Sequence, residues 1–152
     1  MKIFIVNLKK SIEKRTQLES QFQKLGIDNY QFIEAVYGAD LTEEENRVYV
    51  YDYPNCFLTP GEIGCALSHI QIYKMMVEEE IPYALVLEDD VTLPDDLADF
   101  LQAVKPSIDK PYAKIITLAE ANKISLLRRF FRYKDFGEYT AVTAFCTYAY
   151  LV

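Results

Sequence analysis

Three consecutive carboxylates follow an apolar run near the middle of the chain. Residues 85–93 read Leu-Val-Leu-Glu-Asp-Asp-Val-Thr-Leu, and the continuous apolar run before Glu88 predicts a strand buried on both faces. Ionising Glu88, Asp89 and Asp90 (the acidic triplet) together is costly unless a positive charge lies among them. Because ligands of open α/β sheets bind beyond the carboxyl ends of strands, the pattern indicates a hard divalent cation with oxygen ligands. The alternative is a solvated turn that leads into a helix after Pro94.

The composition is that of a single folded domain over residues 1–152. Of the 152 residues, 51% are hydrophobic and 26% are charged, which is enough apolar material for a core. The net charge of -7 argues against nonspecific nucleic-acid binding, because such binding needs a basic surface. We therefore expect no nucleic-acid partner.

The cysteines and the N-terminus indicate a cytoplasmic protein. Cys56, Cys65 and Cys146 are odd in number and never spaced C-x-x-C, so they predict neither a zinc site nor a disulfide framework and fit a reducing compartment. The apolar run at residues 3–6 is too short for the core of a signal peptide or for a membrane span. Because the chain ends at Val152 inside an apolar, strand-like run, we expect a C-terminally truncated portion of a longer protein.

Strand-like and helix-like patterns alternate along the chain, which predicts an α/β fold with a largely parallel sheet flanked by helices. The predicted strands are Ile3–Leu8, Tyr30–Val36, Leu85–Leu87, Lys114–Leu118 and a β-rich stretch, Thr140–Val152. The predicted helices are Ser11–Leu25 with Gly26 as its stop, a short helix after the capping box Thr42-x-x-Glu45, a long helix from the capping box at Thr59 to Pro82, and Pro94–Val104. The side chains of the long helix expected to face the core are Ile63, Leu67, Ile70, Tyr73 (or Lys74) and Val77.

Two further segments should meet the acidic triplet at the same edge of the sheet. The first runs from Asn7 and Leu8 at the end of the first strand to Ser11 and Arg15, where a helix N-terminus and an arginine suit a diphosphate. An ordinary helix start with a surface arginine would show the same residues. The second segment, Gly61–His69, holds the only histidine of the chain, which could be a ligand or a structural residue.

Taken together, these segments resemble glycosyltransferase family 25, the galactosyltransferases of lipopolysaccharide biosynthesis in Gram-negative bacteria. The matching stretches follow the order of the family over essentially the whole chain, and the stretch Gly61–His69 and the acidic triplet are the most specific. The stretches are Val6–Leu8 with Arg15, Ile33–Gly38, Leu58–His69, Leu85–Val91 and Thr147–Val152.

The resemblance implies a GT-A type, Rossmann-like fold, a nucleotide-sugar donor such as UDP-galactose, and a Mn²⁺ or Mg²⁺ ion. It gives Glu88 and Asp90 the role of metal ligands. The donor-binding residues that it implies are Asn7, Leu8, Arg15, Gly38, Gly61, Gly64, Ser68, His69 and Asp89. In such a reaction a divalent cation stabilises the charge on the departing UDP while an acceptor hydroxyl attacks the anomeric carbon. The sequence does not assign a general base.

A basic and aromatic segment lies at residues 123–134. At about 100° per residue, its apolar side chains fall on one half of a helical wheel and Arg128, Arg129 and Arg132 fall on the other. Such a helix could rest on an anionic membrane surface, where a lipid-linked saccharide acceptor would be found. It could equally be a core helix with a solvated basic face.

The leading functional hypothesis is a metal-dependent glycosyltransferase that moves galactose from UDP-galactose onto a lipopolysaccharide or lipooligosaccharide acceptor. It would act in the cytoplasm or at the inner face of the inner membrane. One alternative is a non-catalytic remnant that binds a nucleotide sugar and lacks the acceptor-binding half. The other is a phosphoryl-transfer hydrolase, in which Glu88 would stand at the position of an aspartate nucleophile and misplace the attacking oxygen by about a bond length.

Overall fold

The structure is a computed structural model that describes residues 1–108, 115–118, 123–133, 136–143 and 149–152. Of residues 107, 117, 123–133 and 136–143, only the backbone is described. Some positions named above therefore lie outside the described residues, namely Lys114, Lys134, Cys146, Thr147 and Tyr148.

Strands and helices alternate as the sequence predicts as far as the strand Ile116–Thr117, and the described elements that follow it are strands. The strands are β1 (Lys2–Asn7), β2 (Tyr30–Glu34), β3 (Ala84–Glu88), β4 (Ile116–Thr117), β5 (Lys123–Tyr133), β6 (Phe136–Thr143) and β7 (Ala149–Leu151). The α-helices are α1 (Ile12–Leu25), α2 (Glu43–Tyr49), α3 (Pro60–Glu78) and α4 (Leu97–Ile108), and a short 3-10 helix covers Gly38–Asp40.

The main sheet has five strands in the order β2-β1-β3-β7-β4. β1 pairs in parallel with both β2 and β3, whereas β7 is antiparallel to β3 and to β4. All of these strands except β7 therefore run in one direction, and Val6 near the end of β1 lies opposite Glu88 at the end of β3. The predicted α/β, Rossmann-like and mostly parallel sheet is confirmed.

Helices cover both faces of this sheet, because successive residues of a strand point to opposite sides. On one face, β1 and β3 contribute Ile3, Ile5, Leu85 and Leu87, which pack with Leu18 and Phe22 of α1 and with Leu97 and Val104 of α4. On the other face, Phe4, Val6, Ala84 and Val86 pack with Ile72 and Met76 of α3. The helix that follows β1 and the helix that precedes β3 thus lie on opposite sides of the strand ends where the site was predicted.

Several helix ends follow the predicted signals, whereas α4 covers Leu97–Ile108 and not the predicted Pro94–Val104. Both capping boxes, at Thr42 and Thr59, are formed, and in the second the Glu62 carboxylate accepts a hydrogen bond from the Thr59 backbone N–H at 2.7 Å. That bond lowers the pKa of Glu62. Gly26 ends α1 in the left-handed conformation with a φ of 65°. Ser11 occupies the N-cap position of α1, but its side chain makes no capping hydrogen bond.

The buried face of α3 differs from the predicted one. Ile70 and Val77 were expected in the core and are 43% and 79% exposed, whereas Ile72, Ser68 and His69 are buried. The apolar pattern predicts the wrong buried face of α3, because the polar side chains of Ser68 and His69 are buried. Both find hydrogen-bond partners in other elements, which lowers the cost of burying them.

The basic segment does not form the predicted amphipathic helix. Lys123–Tyr133 is strand β5, which pairs antiparallel with β6 in a separate two-stranded sheet. The helical prediction is wrong because a neighbouring stretch rich in β-forming residues offers this segment a strand partner, and tertiary pairing overrides local periodicity. The predicted basic face needed the helical period, so the argument for membrane contact through residues 123–134 no longer holds. The stretch Thr140–Val152 likewise divides between β6 and β7.

The first turns of α3 lie directly against the chain that follows β2. A Cβ on Gly38 would lie 1.7 Å from the carbonyl oxygen of Pro60, and a Cβ on Gly64 would lie 2.4 Å from the carbonyl oxygen of Val36. Since the obstructing atoms are backbone, no rotamer change can make room for a side chain. A Cβ on Gly61, in contrast, would meet nothing closer than 3.9 Å.

We expect Gly38→Ala and Gly64→Ala each to lower the free energy of unfolding by about 1–3 kcal/mol, because each forces two backbone segments apart. The matched control is Gly61→Ala, which should leave stability unchanged or raise it by up to about 1 kcal/mol through helix propensity. Urea denaturation of the three variants measures these differences. Equal stability of Gly61→Ala and Gly64→Ala would show that this close backbone approach does not limit side-chain size.

Candidate active site

The acidic triplet lies at the carboxyl end of β3, in the centre of the sheet. Glu88 is the last residue of the strand, and Asp89 and Asp90 form the turn that follows. The exposed fractions of the three side chains are 29%, 13% and 47% respectively. Glu88 and Asp90 are therefore accessible to a ligand, whereas the carboxylate of Asp89 is mostly enclosed by the protein.

Two neighbouring side chains hold Asp89 in place. Asn7, at the end of β1, donates from Nδ2 to Asp89 Oδ2 at 2.8 Å and to the backbone oxygen of Ser11 at 3.2 Å. Lys14, in the first turn of α1, donates from Nζ to Asp89 Oδ1 at 2.8 Å and lies 3.6 Å from Asp90 Oδ2. The hydrogen bond with Asp89 raises the pKa of Lys14, so the side chain keeps its charge. The chain itself thus supplies part of the positive charge that three adjacent carboxylates require.

Lys14, and not Arg15, reaches the acidic triplet. The Arg15 Nε lies 3.0 Å from Glu19 Oε1, one turn further along α1, and the guanidinium stacks over the ring of Phe32 at 4.5 Å. The sequence analysis did not name Lys14, which is the basic residue of this helix start that contacts the carboxylates. The donor-binding role of Arg15 stays a prediction, and the structure gives it no contact with the carboxylates.

His69 is buried behind Glu88 and held by two tyrosines. Its Nδ1 lies 2.7 Å from the Tyr150 hydroxyl on β7, which in turn lies 2.8 Å from the Tyr73 hydroxyl on α3. Burial, together with the hydrogen bond to Tyr73, raises the pKa of Tyr150, so this hydroxyl stays protonated. The other ring nitrogen, Nε2, faces Glu88 Oε1 at 3.9 Å. The predicted proximity of His69 to the acidic triplet is therefore present.

Ser68 is a structural link between α3 and the chain after β2. Its side chain is 0% exposed, its Oγ accepts a hydrogen bond from the Val36 backbone N–H at 2.9 Å, and its hydroxyl donates to the Gly64 carbonyl at 2.7 Å. Both hydrogen-bonding functions of the hydroxyl are used within the protein. Any contact with a donor would have to compete with them.

The structure separates the remaining predicted residues into two groups. The triplet, Asn7 and His69 converge on the ends of β1 and β3. Gly38 and Gly64 instead meet each other in the backbone contact at the start of α3, while the Leu8 carbonyl accepts the Ser11 backbone N–H at 2.8 Å in the turn before α1. Gly61 is exposed in the first turn of α3. Donor binding by these four positions (Leu8, Gly38, Gly61 and Gly64) stays a prediction.

The sequence reasoning missed four residues of this site. They are Lys14, Cys65, Tyr73 and Tyr150. Cys65 and Tyr73 stand four residues before and after His69, a spacing that places side chains on one helix face and could have identified them. Nothing local identifies Tyr150, because it reaches His69 only through the pairing of β7 with β3.

The oxygen donors that a hard divalent cation needs are present. The Glu88 carboxylate makes no hydrogen bond to any residue within the described part of the chain, and Asp90 meets Lys14 only at 3.6 Å. Carboxylate oxygens that are not satisfied by the protein and remain accessible to solvent fit Mn²⁺ or Mg²⁺. Glu88 and Asp90 are the residues that would hold such an ion. Asp89 is held in place by hydrogen bonds from Asn7 and Lys14.

A family model described as glycosyltransferase family 25 (LPS biosynthesis protein) matches residues 1–141. The chain belongs to glycosyltransferase family 25. A glycosyltransferase 25 family member of Drosophila melanogaster is 40% identical over 98 residues, which cover 59% of this chain and 16% of that protein. Procollagen galactosyltransferase 2 of Mus musculus is 30% identical over 116 residues, covering 71% of this chain and 18% of that protein.

A third similar protein, procollagen galactosyltransferase 1-A of Xenopus laevis, is 34% identical over 97 residues, 59% of this chain and 16% of that protein. The chain thus spans less than a fifth of the length of these three relatives. Among the described helices, none has the length and apolar character needed to cross a membrane.

We expect Ser68→Ala to lower the free energy of unfolding by about 1–3 kcal/mol, because the partly buried Val36 N–H loses its acceptor. Ser11→Ala is the matched control, and it should cost less than about 0.5 kcal/mol because the Ser11 side chain makes no capping hydrogen bond. Thermal and urea denaturation measure both. A loss at Ser11 as large as that at Ser68 would contradict the assignment of Ser68 as the link between α3 and β2.

Proposed function

We propose that this family 25 chain carries the donor site of a metal-dependent glycosyltransferase, which moves galactose from UDP-galactose onto a lipopolysaccharide or lipooligosaccharide acceptor. The observation that carries the proposal is the acidic triplet at the carboxyl end of β3, with Glu88 and Asp90 accessible and Asp89 braced by Asn7 and Lys14. In a mostly parallel α/β sheet, that edge is where ligands bind.

The names of the relatives support a galactose donor. Two of the similar proteins are procollagen galactosyltransferases, and the description of the family model refers to lipopolysaccharide biosynthesis. Galactose is the sugar on which the resemblance and these names agree. The family description and the names of the relatives indicate different acceptors. We propose a lipopolysaccharide acceptor, and the experiment below also tests procollagen. The free thiols of Cys56 and Cys65 suit a reducing compartment, and we place the reaction in the cytoplasm.

Different residues of the site would have different roles in binding a nucleotide diphosphate. Glu88 and Asp90 would hold Mn²⁺ or Mg²⁺, whose positive charge offsets the negative charge that develops on the departing UDP. Asn7 and Lys14 hold the Asp89 carboxylate in place, and Lys14 offsets part of its negative charge. Lys14 also places an ammonium at the edge of the triplet, where a phosphate oxygen would approach. No described residue is assigned as the general base.

The direct test is transfer of labelled galactose from UDP-galactose in the presence of Mn²⁺. The acceptors are lipopolysaccharide that lacks its terminal galactose and, separately, procollagen. We expect transfer to lipopolysaccharide only. Transfer to procollagen alone would overturn the acceptor, and Mn²⁺-dependent binding of UDP-galactose without transfer to either would identify a non-catalytic nucleotide-sugar-binding domain.

We expect Asp90→Asn to weaken Mn²⁺-dependent UDP binding at least about tenfold, or roughly 1.4 kcal/mol, because the ion loses a charged ligand. Asp95→Asn, an exposed aspartate beyond the triplet, is the matched control and should bind UDP as the unmodified chain does. Isothermal titration with Mn²⁺ and with EDTA makes the measurement. UDP affinity that is the same in EDTA would rule out the metal assignment.

We expect Lys14→Gln to raise the affinity for Mn²⁺ in the absence of nucleotide by about twofold to fivefold, or roughly 0.4–1 kcal/mol. The reason is that Lys14 is a competing positive charge beside Asp89 and Asp90. Lys9→Gln removes an equal charge from the exposed turn before α1 and serves as the control. If both variants bind Mn²⁺ alike, the ion does not bind next to Lys14.

A further inference from the structure

The Nε2 atom of His69 is a buried polar atom with no hydrogen-bond partner within the described residues. The residue is only 8% exposed, so water does not replace the missing partner freely. Leaving such an atom unsatisfied is unfavourable. The atom points towards Glu88 Oε1 at 3.9 Å, which is too far for a hydrogen bond. This gap between a nitrogen and a carboxylate oxygen is the size that a bound ion would fill.

The rest of the imidazole is fixed as a metal-binding histidine usually is. Nδ1 lies 2.7 Å from the Tyr150 hydroxyl, and Tyr150 is fixed in turn by Tyr73 at 2.8 Å. With the proton on Nδ1 donated to Tyr150, the lone pair of Nε2 is directed at Glu88. An outer hydrogen bond of this kind sets the ring orientation and the tautomer of a ligating histidine.

A third donor completes the cluster. The Sγ of Cys65, a ring nitrogen of His69 and a carboxylate oxygen of Glu88 all lie within 4.8 Å of one another. Cys65 and His69 are four residues apart on α3, and Glu88 ends β3, so all three come from regular elements. Two ligands about 2.1 Å from a tetrahedral ion stand about 3.4 Å apart, so the observed 3.9 Å between His69 and Glu88 needs only a small rotation of the Glu88 side chain.

The donor types separate this cluster from the oxygen site of Glu88 and Asp90. A thiolate, an imidazole and a carboxylate are the ligands of Zn²⁺, whereas Mn²⁺ and Mg²⁺ prefer oxygen. Burial and the negative charge of Glu88 raise the pKa of the Cys65 thiol in the absence of an ion. A divalent cation would reverse that effect, because a coordinating thiol loses its proton.

We propose that Cys65, His69 and Glu88 form a binding site for Zn²⁺ or a similar borderline divalent ion, with three protein ligands and an open fourth position. The proposal goes beyond glycosyl transfer, and Glu88 is the ligand that the two sites share. The spacing of the cysteines did not predict this site, because a C-x-x-C motif would supply two thiolates. Here Cys65 supplies one thiolate, and the second donor on α3 is the imidazole of His69, one helical turn away.

The test is Co²⁺ titration of the chain, followed by absorption spectroscopy. We expect d–d bands typical of tetrahedral Co²⁺ and a sulfur-to-cobalt charge-transfer band, because a thiolate is among the ligands. Cys65→Ser should abolish the charge-transfer band, and His69→Gln should weaken Co²⁺ binding at least about tenfold. Cys56→Ser, which removes the other described free thiol, is the matched control and should leave the spectrum unchanged.

A second measurement uses the unmodified chain, so it does not depend on a variant that folds. Cys65 is exposed as a residue although its thiol is partly buried, so it can be alkylated. Stoichiometric Zn²⁺ should slow this modification at least about tenfold while Cys56 reacts as before. Peptide mapping by mass spectrometry distinguishes the cysteines. A charge-transfer band that survives in Cys65→Ser, or alkylation of Cys65 that Zn²⁺ does not slow, would overturn the proposal.

The variant Asp90→Asn separates this proposal from the proposed function. It should lose Mn²⁺-dependent UDP binding and keep the Co²⁺ spectrum, because Asp90 belongs to the oxygen site alone. If Co²⁺ binds without a charge-transfer band and Asp90→Asn abolishes that binding, the chain holds one oxygen-ligand site. The Cys65 site is then excluded while the donor site stands.

Discussion

The backbone contact between the start of α3 and the chain after β2 determines the geometry of the whole site. Gly38 and Gly64 approach so closely that neither position has room for a Cβ, and Ser68 ties the Val36 N–H to the same helix. This contact fixes where α3 lies on the sheet and which face it turns inward. His69 follows Ser68 directly, so its position beside Glu88 depends on the same contact.

In the acidic triplet, part of the negative charge is offset by the protein while two carboxylates stay accessible. Asp89, the most enclosed of the three, has its negative charge offset by Lys14 and by the Asn7 amide. Glu88 and Asp90 retain accessible oxygens. Since the partners of Asp89 come from β1 and α1, the first βα unit both supports the sheet and neutralises part of the site. A fully neutralised cluster would have little affinity for a cation, and a wholly unpaired one would oppose folding.

Local sequence signals predicted where helices begin better than they predicted which face of a helix is buried. The capping boxes at Thr42 and Thr59 are formed as expected, because the residues that satisfy a helix end lie within one turn of it. The core face of α3 was wrong because Ser68 and His69 are satisfied by partners 32 and 81 residues away. Residues 123–133 form a strand because pairing with β6 outweighs their helical periodicity.

The sequence by itself determined the α/β class, the order of the main elements, the acidic triplet and its position at the end of a strand. These follow from hydrophobic pattern and from short-range chemistry, which a single chain segment carries within itself. Only the tertiary structure decided that Lys14 and not Arg15 reaches the carboxylates, and that Cys65, His69 and Glu88 share one cluster with Tyr150 behind it. Those contacts join helices to strands that are distant in the sequence and become neighbours only in the folded sheet. How a helix is oriented on its sheet depends on tertiary packing, which the pattern of a single segment does not predict.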